Sequence, residues 1–293
     1  MHLTPSDSTH GVSPVPVPSA PDQIPTYGKK VLVACPWHKF SCPITSFCVA
    51  QLVDRRRTAS VLNFGDAFVA HSRNAVARAF LKSSCDWLLT IDDDMVVPFG
   101  NAKWFQVYSG FDNMPDKFAG VHALDRLISH GKTLVGALYF GKHDKATAMY
   151  NESSNPQELA YAKAAPYDLI KPTRWVGTGC MLIHRSVFLD IEKRFPRLAR
   201  DAGGLEGHWF TSTEANLMER VASLREMLTT GPMTGEKALK ALERVESALQ
   251  EAQNDNPLGV GEDVSFCLRA AAAGHQPYVD MGLRCGHAGI KIF

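Results

Sequence analysis

The chain has 293 residues, 45% of them hydrophobic and 21% charged, which is enough apolar surface for one large α/β domain or two small ones. Its 31 basic and 30 acidic side chains leave a net charge of +1, which argues against a broadly basic nucleic-acid-binding surface and leaves only a local groove open. No apolar run reaches the roughly 18 to 20 residues of a membrane span, and the first residues lack the basic-then-apolar order of a secretion signal, so a cytoplasmic protein with no membrane span is expected.

Met1 to about Tyr27 is rich in Pro, Ser and Thr and nearly devoid of large apolar groups, which predicts a disordered tail before a single folded domain spanning residues 28 to 293. Lys30 to Cys35 reads as a strand closed by Pro36, and Ile44 to Arg55 has helical spacing. The basic run Arg55-Arg56-Arg57 at its end reads as a solvated face. Ser60 to Phe64 is a second strand, His71 to Leu81 a helix with apolar Val76, Ala79 and Phe80, and Trp87 to Ile91 a third strand. Thr133 to Tyr139 and Trp175 to His184 are two more strands, the second containing Gly177-Thr178-Gly179, where small residues let another group approach. Asn216 to Ala252 is helical in period and broken at Gly231-Pro232, which predicts an inserted helical hairpin within about residues 202 to 258. Glu262 to Ala273 is a helix, Pro277 to Met281 a strand, and Cys285 to Gly289 a glycine-flanked histidine segment.

This alternation predicts an α/β fold with a mostly parallel sheet flanked by helices, whose ligands gather beyond the carboxyl ends of the strands. The seven cysteines, an odd number set mostly in apolar segments, read as reduced thiols packed as small hydrophobes. Cys35, His38, Cys42 and Cys48 lack the close cysteine pairs of common structural zinc sites.

The richest chemistry lies where the apolar strand Trp87 to Ile91 runs into Asp92-Asp93-Asp94. Three carboxylates at the end of a buried strand repel one another unless a divalent ion or a set of donors offsets the charge. A hard ion such as Mg²⁺ or Mn²⁺ suits oxygen ligands and fills its remaining positions with water and phosphate, which points to a nucleotide substrate. Glu262-Asp263 opens a helix, where carboxylates are favoured by the unpaired N–H groups, so a helix-starting role stands beside a catalytic one. His287 reads either as a metal ligand freed by glycines 286 and 289 or as a loop histidine.

The order of Val31-Leu32-Val33-Ala34-Cys35-Pro36, Ser72-Arg73-Asn74, Asp92-Asp93-Asp94, Gly177-Thr178-Gly179-Cys180, Gly261-Glu262-Asp263-Val264 and His287-Ala288-Gly289 resembles the GT-A family of nucleotide-sugar-dependent glycosyltransferases. The likeness is greatest to inverting, family-2-like members, including bacteriophage-encoded ones, and covers about residues 30 to 199 and 261 to 289. It implies a GT-A, Rossmann-like fold and transfer of a sugar from a nucleotide sugar, first among them a UDP-sugar, with inversion. By the same resemblance Asp94, Asp92 and His287 hold Mn²⁺ or Mg²⁺, and Asp92 also bonds the donor ribose or sugar. Asp93 takes the variable middle position of the donor motif, and Asp263 is the base that deprotonates the acceptor, with Glu262 orienting the acceptor or supporting the loop. The resemblance further brings Cys35, Pro36 and Asp66 beside the nucleobase and Arg73 and Asn74 near the nucleotide, with a surface ion pair the other reading for Arg73. Trp175, Gly177 and Gly179 form the floor, where the aromatic ring stacks on a sugar. His208, Trp209 and Phe210 either wall the acceptor or pack in the core. The hairpin is longer than compact members use and lies where acceptor-binding elements arise, so the acceptor stays open among glycan, lipid, protein and a modified base in DNA. A nucleotidyltransferase and a non-catalytic nucleotide-sugar-binding module are the alternatives.

Overall fold

The computed structural model describes residues 30–37, 42–53, 58–65, 69–111, 114–140, 147–152, 160–161, 167–196, 208–210, 240 and 261–288. The expected tail, His38, the basic run at 55–57, Asp66 and nearly all of the expected hairpin lie outside these residues.

A seven-stranded sheet forms the centre, in the order β2-β1-β3-β11-β5-β12-β9. Its members are β1 (Val31–Trp37), β2 (Thr58–Gly65), β3 (Trp87–Ile91), β5 (Leu134–Leu138), β9 (Ile170–Pro172), β11 (Cys180–His184) and β12 (Tyr278–Arg284). The pairs β1–β2, β1–β3 and β5–β12 are parallel, whereas β11 runs against both β3 and β5, and β9 runs against β12. Five of the seven strands therefore share one direction, as the alternation predicts, and β11 and β9 make the sheet mixed.

The strands β3, β5 and the body of β11 are buried on both faces, which explains their near-continuous apolar sequences. Leu32, Ala34, Leu88, Leu134, Met181 and Ile183 point into one core, against helices α2 (Val69–Lys82), α6 (Arg185–Arg194) and α7 (Glu262–Ala272). Val31, Val33, Trp87, Leu89, Val135 and Leu182 point into the other, against α1 (Pro43–Leu52), α3 (Ala102–Ser109), α4 (Asp116–Ala119) and α5 (Ala123–Ser129). The result is a three-layer α/β/α domain with a side-chain period of two through the middle layer. None of the helices among the described residues is long and apolar enough to cross a membrane. The seven cysteines are free thiols, six of them buried.

The expected single strand from Trp175 to His184 is instead two. β10 (Trp175–Val176) pairs with β7 (Tyr150–Asn151) outside the main sheet, and only β11 joins it. The break falls at Gly177-Thr178-Gly179, where Tyr139 occupies the space that a Cβ on either glycine would take.

The last strand turns toward the carboxylates by a local device. Pairing between β12 and β5 shifts register between Asp280 and Arg284, and the Asp280 carboxylate fills the irregularity. Its Oδ1 accepts from Gly282 N at 2.9 Å and Leu283 N at 3.1 Å. On the other side Arg126 donates from Nε at 2.6 Å and Nη2 at 2.8 Å, and His130 Nε2 lies 2.7 Å from Oδ2. Beyond it β13 (Gly286–His287) pairs antiparallel with β4 (Met95–Val96), the two residues that follow the triple aspartate. Burial alone would raise the proton affinity of Asp280, but the bonds from His130 and Arg126 outweigh it and hold the pKa down at about 2.

Asp280→Ala, which leaves Arg126 without its carboxylate and with only the Tyr167 carbonyl as acceptor, is expected to lower unfolding stability by about 3 kcal/mol in urea titration. Because the folded pKa lies below the usual carboxylate value, the wild-type advantage is full above about pH 4 and shrinks as pH falls toward 2.

Candidate active site

The site starts at one edge of the sheet, where β1 and β3 end, β5 runs into Tyr139 and the antiparallel β11 begins. Asp92 follows β3 directly, and its N–H donates to Gly179 O at 3.0 Å, so the aspartate turn and the glycine segment share a hydrogen bond. Asp93 O accepts from Cys42 N at 3.0 Å, which ties the turn to the start of α1. Cys35 and Pro36, near the end of β1, are buried. The Cys35 thiol is pushed up to about 12, first by burial and then by the nearby carboxylates of Asp93, Asp92 and Asp94.

Arg73, in the first half of α2, joins the two carboxylate motifs. Its Nη2 donates to Asp92 Oδ1 at 2.9 Å and Oδ2 at 2.8 Å, and its Nη1 donates to Glu262 Oε1. The arginine side chain is 5% exposed, against 23% for Asp92 and 21% for Glu262. Desolvation favours loss of its charge, but Asp92 and Glu262 outweigh that and hold the guanidinium above its ordinary range. Of the two roles read from the sequence for Arg73, ion pairing is the one formed, and it is internal rather than on the surface.

Asp263 sits one residue beyond that bridge. Its Oδ1 accepts from Val264 N at 2.7 Å, so it also serves the helix start, while the residue before α7, Gly261, caps it without a side chain. Burial raises the Asp263 pKa to about 6, with Glu262 adding to the rise and Arg73 opposing it. A carboxyl poised there is ionised at neutral pH yet more basic than an ordinary aspartate, which suits proton abstraction.

The glycine segment has a partner that sequence reading missed. Tyr139 is buried, and its hydroxyl accepts from Gly179 N at 3.2 Å. A Cβ on Gly179 would lie 2.8 Å from Tyr139 Cζ, and one on Gly177 would overlap the hydroxyl. The ring meets His287 edge-on, with centroids 5.5 Å apart. The available signal was an aromatic residue ending a predicted strand in a chain with a Gly-Thr-Gly segment, which names no partner by itself.

Asp94 and His287 are brought together through the backbone. His287 stands opposite Met95 in the β4–β13 ladder, and Ala288 N donates to Asp94 O at 2.6 Å. Among the described residues no three His, Cys, Asp or Glu side chains form a group that could hold a metal ion. Asp94 and His287 are of the donor types, one carboxylate and one imidazole, that Mn²⁺ would use together with phosphate and water, and it is their backbones that the fold joins. Both oxygens of Asp92, the third expected ligand, accept from Arg73, which leaves each with one further lone pair.

Two expected donor contacts have other roles. Asn74 donates to Phe210 O at 2.9 Å and accepts from Phe210 N at 2.8 Å, so its amide is used in anchoring the segment 208–210. Trp175 is 2% exposed within the core that contains Tyr150, Phe188 and Phe266, so its ring packs beneath the site instead of presenting a stacking face. Trp209 and Phe210 also pack: Trp209 Nε1 donates to Phe188 O at 3.2 Å, and Phe210 stacks on Phe266 at 4.2 Å. Asp66 lies outside the described residues.

Neither a known protein family nor a curated protein matches the chain. Among solved structures, A197 from STIV aligns with a TM-score of 0.35 and 16% identity, over 60% of this chain and 74% of that one.

Gly179→Ala is expected to cost about 1 to 3 kcal/mol in thermal or urea unfolding, since the methyl group meets the Tyr139 ring. Asp263→Asn keeps the Oδ1 acceptor and removes a partly desolvated charge. The folded pKa lies above the unfolded one, so wild-type stability falls as pH rises from about 4 to 6. The variant is therefore expected to be more stable than wild type at pH 7 to 8, by on the order of 2 kcal/mol, with the difference vanishing below about pH 4.

Proposed function

We propose that the protein is a metal-dependent glycosyltransferase of GT-A type that moves a sugar from a nucleotide sugar, first among them a UDP-sugar, to an acceptor hydroxyl with inversion. The observation that carries this reading is the junction at Arg73, which unites a strand-end carboxylate and the Glu262-Asp263 helix start beside a half-buried carboxyl of raised pKa.

In this reading Asp263 takes the proton from the acceptor hydroxyl as its oxygen forms a bond to the anomeric carbon. The bond from that carbon to the diphosphate breaks on the opposite face, and the nucleoside diphosphate leaves with the electron pair. Asp94 and His287 would hold Mn²⁺ or Mg²⁺, which supplies charge compensation for the departing diphosphate. Glu262, held by Arg73, orients the helix start, and Cys35 and Pro36 border the nucleotide. The acceptor is a glycan, a lipid, a protein or a modified DNA base, and the net charge of +1 gives no support to the last.

The test is thermal shift with UDP, GDP and their common sugar conjugates, with and without Mn²⁺, on wild type and Asp94→Asn, followed by donor-turnover assays. Stabilisation by one nucleotide that requires both metal and Asp94, with turnover lowered at least a hundredfold in Asp263→Asn, is the expected result. No metal-dependent shift with any nucleotide would end the glycosyltransferase reading.

A further inference from the structure

Three residues far apart in sequence meet in one part-buried bridge: Arg73 on α2, Asp92 after β3 and Glu262 at the start of α7. Arg73 and Glu262 are 189 positions apart, and Arg73 and Asp92 are 19 apart. The bridge uses separate nitrogens for the two carboxylates, with Nη2 for Asp92 and Nη1 for Glu262, so one rigid planar group sets their relative position. A lysine has a single ammonium on a flexible stem and cannot impose that geometry.

The neighbouring contacts are stiff on both sides. Asp92 is tied by its backbone to Gly179, and Gly179 to the Tyr139 hydroxyl. On the helix side, Phe266 stacks on Phe210, Arg269 Nη1 donates to Trp209 O at 3.1 Å, and the amide of Asn74, the residue after Arg73, holds Phe210 from α2. The α2 helix therefore grips α7 twice, once through the Arg73 bridge and once through the 208–210 segment, with the reactive carboxyl of Asp263 between the grips.

We infer that Arg73 is a positioning residue that transmits the placement of the Asp92 turn to Glu262 and Asp263, so that a ligand seated at the aspartates orders the helix start that carries the base. The coupling to catalysis rests on the glycosyltransferase reading above, whereas the mechanical link stands on the contacts alone. The inference departs from the expected role of Arg73 as a direct nucleotide contact.

Hydrogen–deuterium exchange on the full chain tests the link without any turnover, in wild type, Arg73→Lys, Glu262→Gln and the double variant. Arg73→Lys is expected to speed exchange at least threefold in both the 92–96 turn and the 262–266 turn. The double variant should add less than the sum of the single ones, since both remove the same bridge. Faster exchange spread evenly over the domain, or additive effects at 262–266, would overturn the proposal.

A second arm adds Mn²⁺ and each of the common UDP- and GDP-sugars in turn and follows donor hydrolysis. Arg73→Lys is expected to lower kcat at least tenfold with the donor KM within threefold of wild type, and Glu262→Gln to lower kcat in the same sense. A KM rise of tenfold or more with kcat unchanged would instead make Arg73 a direct donor contact and sink the proposal. If wild type neither binds nor hydrolyses the donor, the glycosyltransferase reading and the catalytic part of the inference fail together, while the exchange data still decide the mechanical link.

Discussion

The site depends on one buried guanidinium. Arg73 is taken out of water together with parts of two carboxylates, and each of the three would be costly there alone. Together they offset one another, with the arginine supplying separate donors to each acid. The bridge cannot form until α2, the end of β3 and the start of α7 are all in place, so it couples assembly of the domain to assembly of the site. It also leaves Asp263 beside Glu262 in a half-buried position, where the neighbouring negative charge adds to the effect of desolvation and raises the pKa to about 6.

A second constraint comes from space rather than charge. Gly177 and Gly179 carry no Cβ because Tyr139 occupies that volume, and the ring in turn rests edge-on against His287. The glycines thus trade side-chain packing of their own for close approach of an aromatic from the neighbouring strand. His287 reaches this place because β12 loses register beyond Asp280 and the chain is redirected to pair with β4. The Asp280 carboxylate, buried and held by Arg126 and His130, satisfies the two N–H groups that the irregularity leaves out of the ladder.

Both constraints are built on an ordinary three-layer core. Strand residues alternate between its two faces, and two of the three helices that cover one face, α2 and α7, supply Arg73, Glu262 and Asp263. The carboxylates gather where parallel strands end, since there the chain leaves the buried sheet and polar groups can meet one another and solvent.

The sequence by itself determined the elements whose apolar period is strong. Trp87 to Ile91 is a strand with the bounds its composition predicts, and the helices at 71–81 and 262–273 and the strands near 31, 60, 134 and 278 lie within a few residues of expectation. Those signals are local, carried by burial on one or both faces. It also marked Asp92, Asp94, Glu262, Asp263 and His287 as acidic or ligating residues near element ends. Only the tertiary structure decided that Asp92 is engaged by Arg73, that the Asn74 amide is consumed by Phe210, that Trp175 packs in the core and that the strand at Trp175 to His184 is broken. The helices α3 to α6 and the Asp280 network were likewise beyond sequence reading. The physical reason is common to all of them: a polar side chain shows in sequence that it needs a partner, but the partner lies up to 189 positions away and is chosen by packing that no local period records.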